Sequence, residues 1–367
     1  MKVLLLIDTR NWTFPKKWYR KYKELSIDVK LLSFYNADYL QLDDYIRIKT
    51  WIPSHRLKMI GKLSEIKNKI KSFKPDIIHA IQVTRQGFLA SLIDYHPMIV
   101  TAIGSDIFIE PKKSIIEKWI VQRCFKKADL VTSMAEHMTD YIKKNFKIDE
   151  KKLITFPWGC DTKIFNLENR NVDENEPIII TTRSMTNVLY NQELIINAIP
   201  EVLKHIPEAK FIFIGDGYLR TKYEKLCEKL KVKNSVKFLG WQTQEQIAEW
   251  LKKSMIFISV ARSDGNNISL NEAMACGCFP ICTDIPANRQ WYNEPDSGFF
   301  VNPDNSEELA EKIIIAIKDK KLRKKAEEIN CQTVSERGDW HKQALKMLEI
   351  YKKLKNGNWG QASSVHQ

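Results

Sequence analysis

Residues 263–280 (SDGNNISLNEAMACGCFP) hold the residue types best suited to chemistry. An apolar run, MIFISV, leads into them, an Asp-Gly-Asn-Asn stretch has turn-forming composition, and a helical pattern starts near Ser269. A helix N-terminus offers unpaired backbone N–H groups and the positive end of a dipole, which suits a diphosphate. Asn266, Asn267, Ile268, Ser269 and Leu270 would surround that ligand. One turn on, the carboxylate of Glu272 can accept hydrogen bonds from both hydroxyls of a ribose. A plainer reading stands beside this one: Ser269-x-x-Glu272 also fits a capping box, in which Glu272 merely closes the helix end.

The elements that must position these residues form two series of apolar strands alternating with helical patterns, the mark of parallel sheets built from right-handed β-α-β units. The first series falls at 3–7, 27–34, 48–52, 76–81, 98–103, 130–134 and 153–156. An amphipathic helix over 54–73 has Leu57, Ile60, Leu63, Ile66, Ile70 and Phe73 on one face. Residues 166–177 are polar and end in Pro177, reading as a linker. The second series follows at 178–182, 210–215, 236–240, 255–260, 279–283 and 299–301. A last helix runs over 339–355 after the turn at Arg337-Gly338, and 357–367 read as a tail. The expectation is an α/β protein of two doubly wound, Rossmann-like domains, 1–170 and 171–338, facing across a cleft that the strand ends line, with the last helix packing back on the first domain.

Composition agrees with two ordinary cores: 367 residues, 44% hydrophobic, 28% charged. The apolar start of the chain meets Asp8 and Arg10 too soon for a signal peptide, and no stretch is apolar enough to span a bilayer. A cytoplasmic protein is expected, with peripheral attachment to the inner face of the membrane as an option beside it. Cys276, Cys278 and Cys282 cluster without C-x-x-C spacing and read as small buried thiols; no metal site is expected. Net charge is +13, with roughly +9 of it in residues 1–176. An anionic membrane surface or a lipid-linked phosphate can meet that half; a nucleic-acid partner is the weaker option. Residues 14–23 (FPKKWYRKYK) interleave aromatics and cations, which suits a membrane surface, although their place after the first strand also suits packing.

The 263–280 stretch resembles the nucleotide-sugar signature of family 4 retaining glycosyltransferases, E-x7-E followed by A-M-A-C-G, and most of the chain follows that family's order. Asp264 and Glu272 stand where its two acids stand, the first being Asp instead of Glu. Thr182-Arg183 resembles its G-R-L element, whose Arg meets the donor diphosphate, while Tyr190-Asn191 replaces its Lys-Gly; Arg262, or a hydroxyl and an amide donor, are the candidate replacements for its cation. Gly215-Asp216-Gly217 and Gly240-Trp241 resemble loops flanking the nucleoside base, Trp241 reading equally as core. Residues 101–106 (TAIGSD) resemble the T-x-H-G-x-D loop, with Gly104 and Asp106 kept and Ile103 replacing His. His79, at a strand end, and Arg10, in the room where the family has glycines, are acceptor-side candidates, although a satisfied histidine is the commoner fate at a strand end.

The resemblance implies the GT-B fold and a metal-independent hexosyltransferase that moves sugar from a UDP- or GDP-sugar to a hydroxyl of a glycan or lipid-linked acceptor with retention. No cofactor is implied, because the nucleotide sugar is a substrate. Arg183, Asp106 and Asp264 are its catalytic candidates; Glu272, residues 266–270, Gly215, Gly217, Trp241 and Gly104 its donor-binding ones. A nucleotide-sugar epimerase and a non-catalytic nucleotide-sugar or nucleic-acid binder are the alternatives.

Overall fold

The computed structural model describes residues 1–9, 13–35, 44–51 and 54–358. The chain divides into two compact units, Met1–Pro157 with His341–Gln367, and Trp158–Trp340. The division precedes the polar stretch read as a linker because that stretch is anchored in the second unit. Phe165 is buried in its core, and the Arg170 guanidinium donates to the carbonyls of Cys276 and Gly277, each at 2.7 Å.

The first unit holds a seven-stranded sheet of β1 (Lys2–Leu6), β2 (Asp28–Ser33), β3 (Tyr45–Arg47), β4 (Ile77–Ile81), β5 (Met98–Ala102), β6 (Leu130–Ser133) and β7 (Leu153–Thr155). All pairings are parallel, in the order β3-β2-β1-β4-β5-β6-β7. β3 lies upstream of the expected 48–52, which spans residues outside the described set. The helix expected over 54–73 is two, His55–Gly61 and Leu63–Phe73, broken at Lys62, where backbone at φ −106°, ψ 5° leaves the helical path. Ile66, Ile70 and Phe73 are buried, whereas Leu57 and Ile60 are exposed.

The final helix, Trp340–Lys355, packs on this first unit through buried polar groups. Tyr351 Oη lies 2.8 Å from Tyr22 Oη and 2.6 Å from His79 Nδ1. His79 Nε2 is 2.7 Å from Thr101 Oγ1, itself 2.7 Å from Thr132 Oγ1. Lys355 adds an ion pair with Asp76 at 3.1 Å. Burial holds the His79 imidazole neutral, pushing its pKa from 6.5 down to about 3. Between those values the unfolded chain binds a proton that the folded one refuses, so stability falls as pH drops through this window, by up to about 1.4 kcal/mol per pH unit. His79→Gln is therefore expected to reduce the stability difference between pH 7 and pH 5 by about 2 kcal/mol in urea unfolding. An unchanged difference would mean that His79 is charged in the folded protein.

The second unit carries β8 (Ile178–Thr181), β9 (Lys210–Ile214), β10 (Val236–Gly240), β11 (Ile256–Ser259), β12 (Phe279–Thr283) and β13 (Phe299–Val301), parallel in the order β10-β9-β8-β11-β12-β13. Successive strand residues face opposite sides. Ile179, Phe211, Phe213, Ile256 and Ile258 fill one core, with the helices Gln192–His205 and Ser306–Lys318. Ile180, Ile212, Ile214 and Phe257 fill the other, with Gln244–Lys253 and Ile268–Ala275. Two buried faces explain why these strands read as unbroken apolar runs.

Candidate functional site

Strand order reverses between β8 and β11, and open α/β sheets bind ligands beyond the strand ends at such a reversal. Thr182 and Arg183 leave β8 there. Residues 260–267 and the helix Ile268–Ala275 leave β11. The Arg183 guanidinium forms an ion pair with Asp264 and donates from Nε to Ser259 Oγ at 3.3 Å. Its carbon sits 5.0 Å from the centre of the Tyr190 ring. Burial opposes its charge most strongly of any single effect, but the Asp264 carboxylate together with Tyr190 and Cys282 raises the pKa above the usual guanidinium value. Tyr190, standing where a second cation was expected, thus braces the first. Arg262 is directed elsewhere: its side chain pairs with Asp304 at 2.5 Å.

The glycine loops act on Arg183 from behind. A Cβ on Gly215 would lie 2.6 Å from the Arg183 carbonyl oxygen, and one on Gly217 would lie 2.3 Å from that of Met185. Only glycine permits this approach. Met185 N then donates to the Asp216 carbonyl at 2.9 Å, and Gln192 Nε2 to the Arg183 carbonyl at 2.7 Å. Sequence reading missed Gln192 and Ser259 as positioning residues, the available signal being that Gln192 is polar at the start of an apolar helix; Tyr190 was singled out by its place, but not for its ring against Arg183. Trp241 is exposed beyond the edge strand β10, available for stacking and not part of the core.

Helix Ile268–Ala275 starts one residue before the expected Ser269, capped by Asn267 Oδ1, which accepts from Leu270 N at 3.2 Å. Ser269 is inside the helix, so Ser269 and Glu272 form no capping box, and Glu272 is partly exposed on the helix. The side chains of Asn266 and Asn267 are buried and serve the loop. Asn267 Nδ2 donates to Ser259 Oγ (3.1 Å) and Asn288 Oδ1 (2.9 Å), while Asn266 accepts from Trp291 Nε1 at 3.0 Å and donates to the Trp158 carbonyl at 2.9 Å. Any ligand contact from these two comes from backbone. Leu270 is buried; Ile268 and Ser269 are partly exposed.

In the first unit, Asp106 is buried and its carboxylate accepts from the N–H groups of Val83 (2.7 Å), Ile103 (3.1 Å) and Gly104 (2.9 Å). Burial pushes its carboxyl up to about 6, against these three donors. As placed, Asp106 shapes the loop that presents Gly104, in place of the direct catalytic contact expected of it. His79 is likewise unsuited to its expected acceptor role, because both ring nitrogens are engaged and the ring is buried. Arg10 lies outside the described residues. Nearby, Asp8 Oδ2 is 4.0 Å from Arg85 Nη1. Cys276, Cys278 and Cys282 are buried free thiols; Cys278 Sγ donates to the Leu251 carbonyl at 3.2 Å. Among the described residues no group of three or more His, Cys, Asp or Glu is placed to hold a metal ion, and no helix is long and apolar enough to cross a membrane.

Residues 163–332 match the family model described as glycosyl transferases group 1, and residues 2–135 the one described as glycosyl transferase 4-like. Among curated relatives, an uncharacterized glycosyltransferase of Methanocaldococcus jannaschii is 24% identical over 78% of this chain and 78% of its own length. The N-acetylgalactosamine-N,N'-diacetylbacillosaminyl-diphospho-undecaprenol 4-alpha-N-acetylgalactosaminyltransferase of Campylobacter jejuni is 24% identical over 58% of this chain and 57% of its own. Anabaena HepE in complex with UDP-glucose shares the fold, with a TM-score of 0.79 over 96% of this chain and all of that one, at 15% identity.

Proposed function

Taking as premise that the chain is a glycosyltransferase of the GT-B fold, we propose that it is a retaining, family 4 type enzyme that uses a UDP- or GDP-linked hexose. The observation that carries this is the convergence, where strand order reverses, of Arg183 from β8 and the start of helix Ile268–Ala275 from β11. In this reading the helix start binds the diphosphate, Glu272 takes the ribose hydroxyls, Trp241 stacks on the base, and Asp264 meets the donor sugar. Arg183 neutralises the charge that grows as the nucleotide leaves. The acceptor hydroxyl attacks on the face the nucleotide departs from, a donor phosphate oxygen takes its proton, and no metal is required. Asp106 supports the Gly104 loop as a positioning residue.

The acceptor is a hydroxyl of a glycan or lipid-linked molecule, and the basic first half meets an anionic membrane at its inner face. Support comes from the charge asymmetry and from the Campylobacter relative, whose name specifies a diphospho-undecaprenol substrate. Incubation with UDP- and GDP-sugars tests the reaction. Release of free nucleotide is expected, faster with acceptor and unaffected by EDTA. A changed sugar with no released nucleotide would mean an epimerase, and neither product would mean a binding protein.

A further inference from the structure

Of thirteen exposed large hydrophobic residues among those described, six belong to two short stretches of the first unit. Ile115, Ile116 and Trp119 open the helix Ile115–Lys127 and are 89%, 61% and 54% exposed. Leu57 and Ile60 on helix His55–Gly61 are 61% and 55% exposed, and Trp51, just ahead of that helix, is 91% exposed. An ion pair between Arg56 and Glu117 links the two helices, while Ile115, Ile116 and Trp119, spaced i, i+1 and i+4, form one apolar patch at the start of the second. Core packing explains none of them. On helix Ile115–Lys127 the core is served by Ile120, Val121, Cys124 and Phe125.

The rim of this patch is cationic. Lys112 and Lys113 precede the Ser114 cap, Lys118 follows Glu117, and all three are exposed. The Arg123 guanidinium lies 5.8 Å from the Trp119 ring centre. Three other basic groups of this half are committed elsewhere. Lys58 is buried, donating to Tyr35 Oη at 3.2 Å, while Lys21 and Lys23 pair with Glu24 and Asp44. Trp18 and Tyr22, from the aromatic-basic segment 14–23, are core residues.

We propose that Ile115, Ile116 and Trp119 form an insertion surface that docks the first unit on an anionic phospholipid bilayer. Aliphatic tips enter the acyl boundary, Trp119 sits at headgroup level, and the lysine rim meets lipid phosphates. A second copy of this chain fits less well, since a two-fold contact through this patch would press one lysine rim against another. The inference rests on the membrane-facing reading above and is independent of the donor site.

The test uses the full chain and vesicles of phosphatidylglycerol with phosphatidylcholine, or of phosphatidylcholine alone, in sedimentation. Wild type is expected to pellet with the anionic vesicles. The triple variant Ile115→Ser, Ile116→Ser, Trp119→Ser should lose at least about tenfold in partitioning, with nucleotide release from the donor and melting temperature unchanged. Brominated phosphatidylcholine in the anionic vesicles should quench wild-type tryptophan fluorescence more than that of Trp119→Phe. Full pelleting of the triple variant, abolished only by Lys112→Gln, Lys113→Gln, Lys118→Gln, would overturn insertion and leave charge attachment alone. Absence of wild-type pelleting would overturn both insertion and membrane attachment, while nucleotide release would still report on the transferase. Self-association that disappears in the triple variant, without vesicle binding, would make a second copy the occupant and overturn the proposal.

Discussion

Arg183→Ala is expected to lower kcat about 10²- to 10³-fold at saturating donor while changing donor affinity much less, the loss seen when a single donor to a developing negative charge is removed. The guanidinium is held in place by protein groups alone. Asp264, Ser259 Oγ and the Tyr190 ring hold the side chain, and Gln192 with the two glycine loops holds its backbone. Little reorganisation is then needed when charge appears on the leaving phosphate. An interaction that strengthens only in the transition state is read in kcat and not in binding. Arg183→Lys should rescue poorly, because an ammonium cannot keep both the Ser259 and Asp264 contacts. Removing Arg183 also leaves Asp264 half-buried without its partner. The double variant Arg183→Ala, Asp264→Asn is therefore the control for folding: it should regain any lost melting temperature but not the lost rate. A kcat equal to wild type in a folded Arg183→Ala protein would take Arg183 out of the mechanism.

The strands were legible because parallel strands buried on both faces must be apolar throughout, and β10, β12 and β13 coincide with the runs read from sequence. The break at Lys62 was not, since Leu57 and Ile60 continue the three-and-four spacing of Leu63, Ile66 and Ile70 although they face outward. Periodicity marks a helix face without saying what covers it. The site was legible where it is local. The turn residues 264–267 and the start of the following helix lie within one short stretch, but the engagement of Asn266 with Trp291 and of Asn267 with Asn288 depends on side chains more than a dozen residues away. The bond between His79 and Tyr351 spans 272 positions, so of the two readings of this histidine the satisfied one holds, with a partner on the last helix that no local pattern could name. Asp106 shows the same effect: its motif was readable, while its burial beneath three backbone donors was not.

Glu272→Ala is expected to weaken UDP or GDP binding about 30- to 150-fold, the loss of a charged acceptor with two hydroxyl partners. With Asn267 as the helix cap, Glu272 has no end-closing duty toward Ser269, and a melting temperature measured beside the affinity separates loss of fold from loss of ligand. A loss of affinity can then be assigned to the ligand. Titration calorimetry with UDP and 2′-deoxy-UDP, and with the matching guanosine pair, separates the ribose contact from a general charge effect. If the carboxylate holds the ribose, removing the 2′-hydroxyl should cost wild type much of the same affinity and cost Glu272→Ala almost nothing, because the two changes delete one interaction. Additive losses would mean that Glu272 acts through something other than the ribose. Affinity within twofold of wild type for both nucleotides would remove it from the donor site altogether, leaving the diphosphate held by Arg183 and the helix start alone.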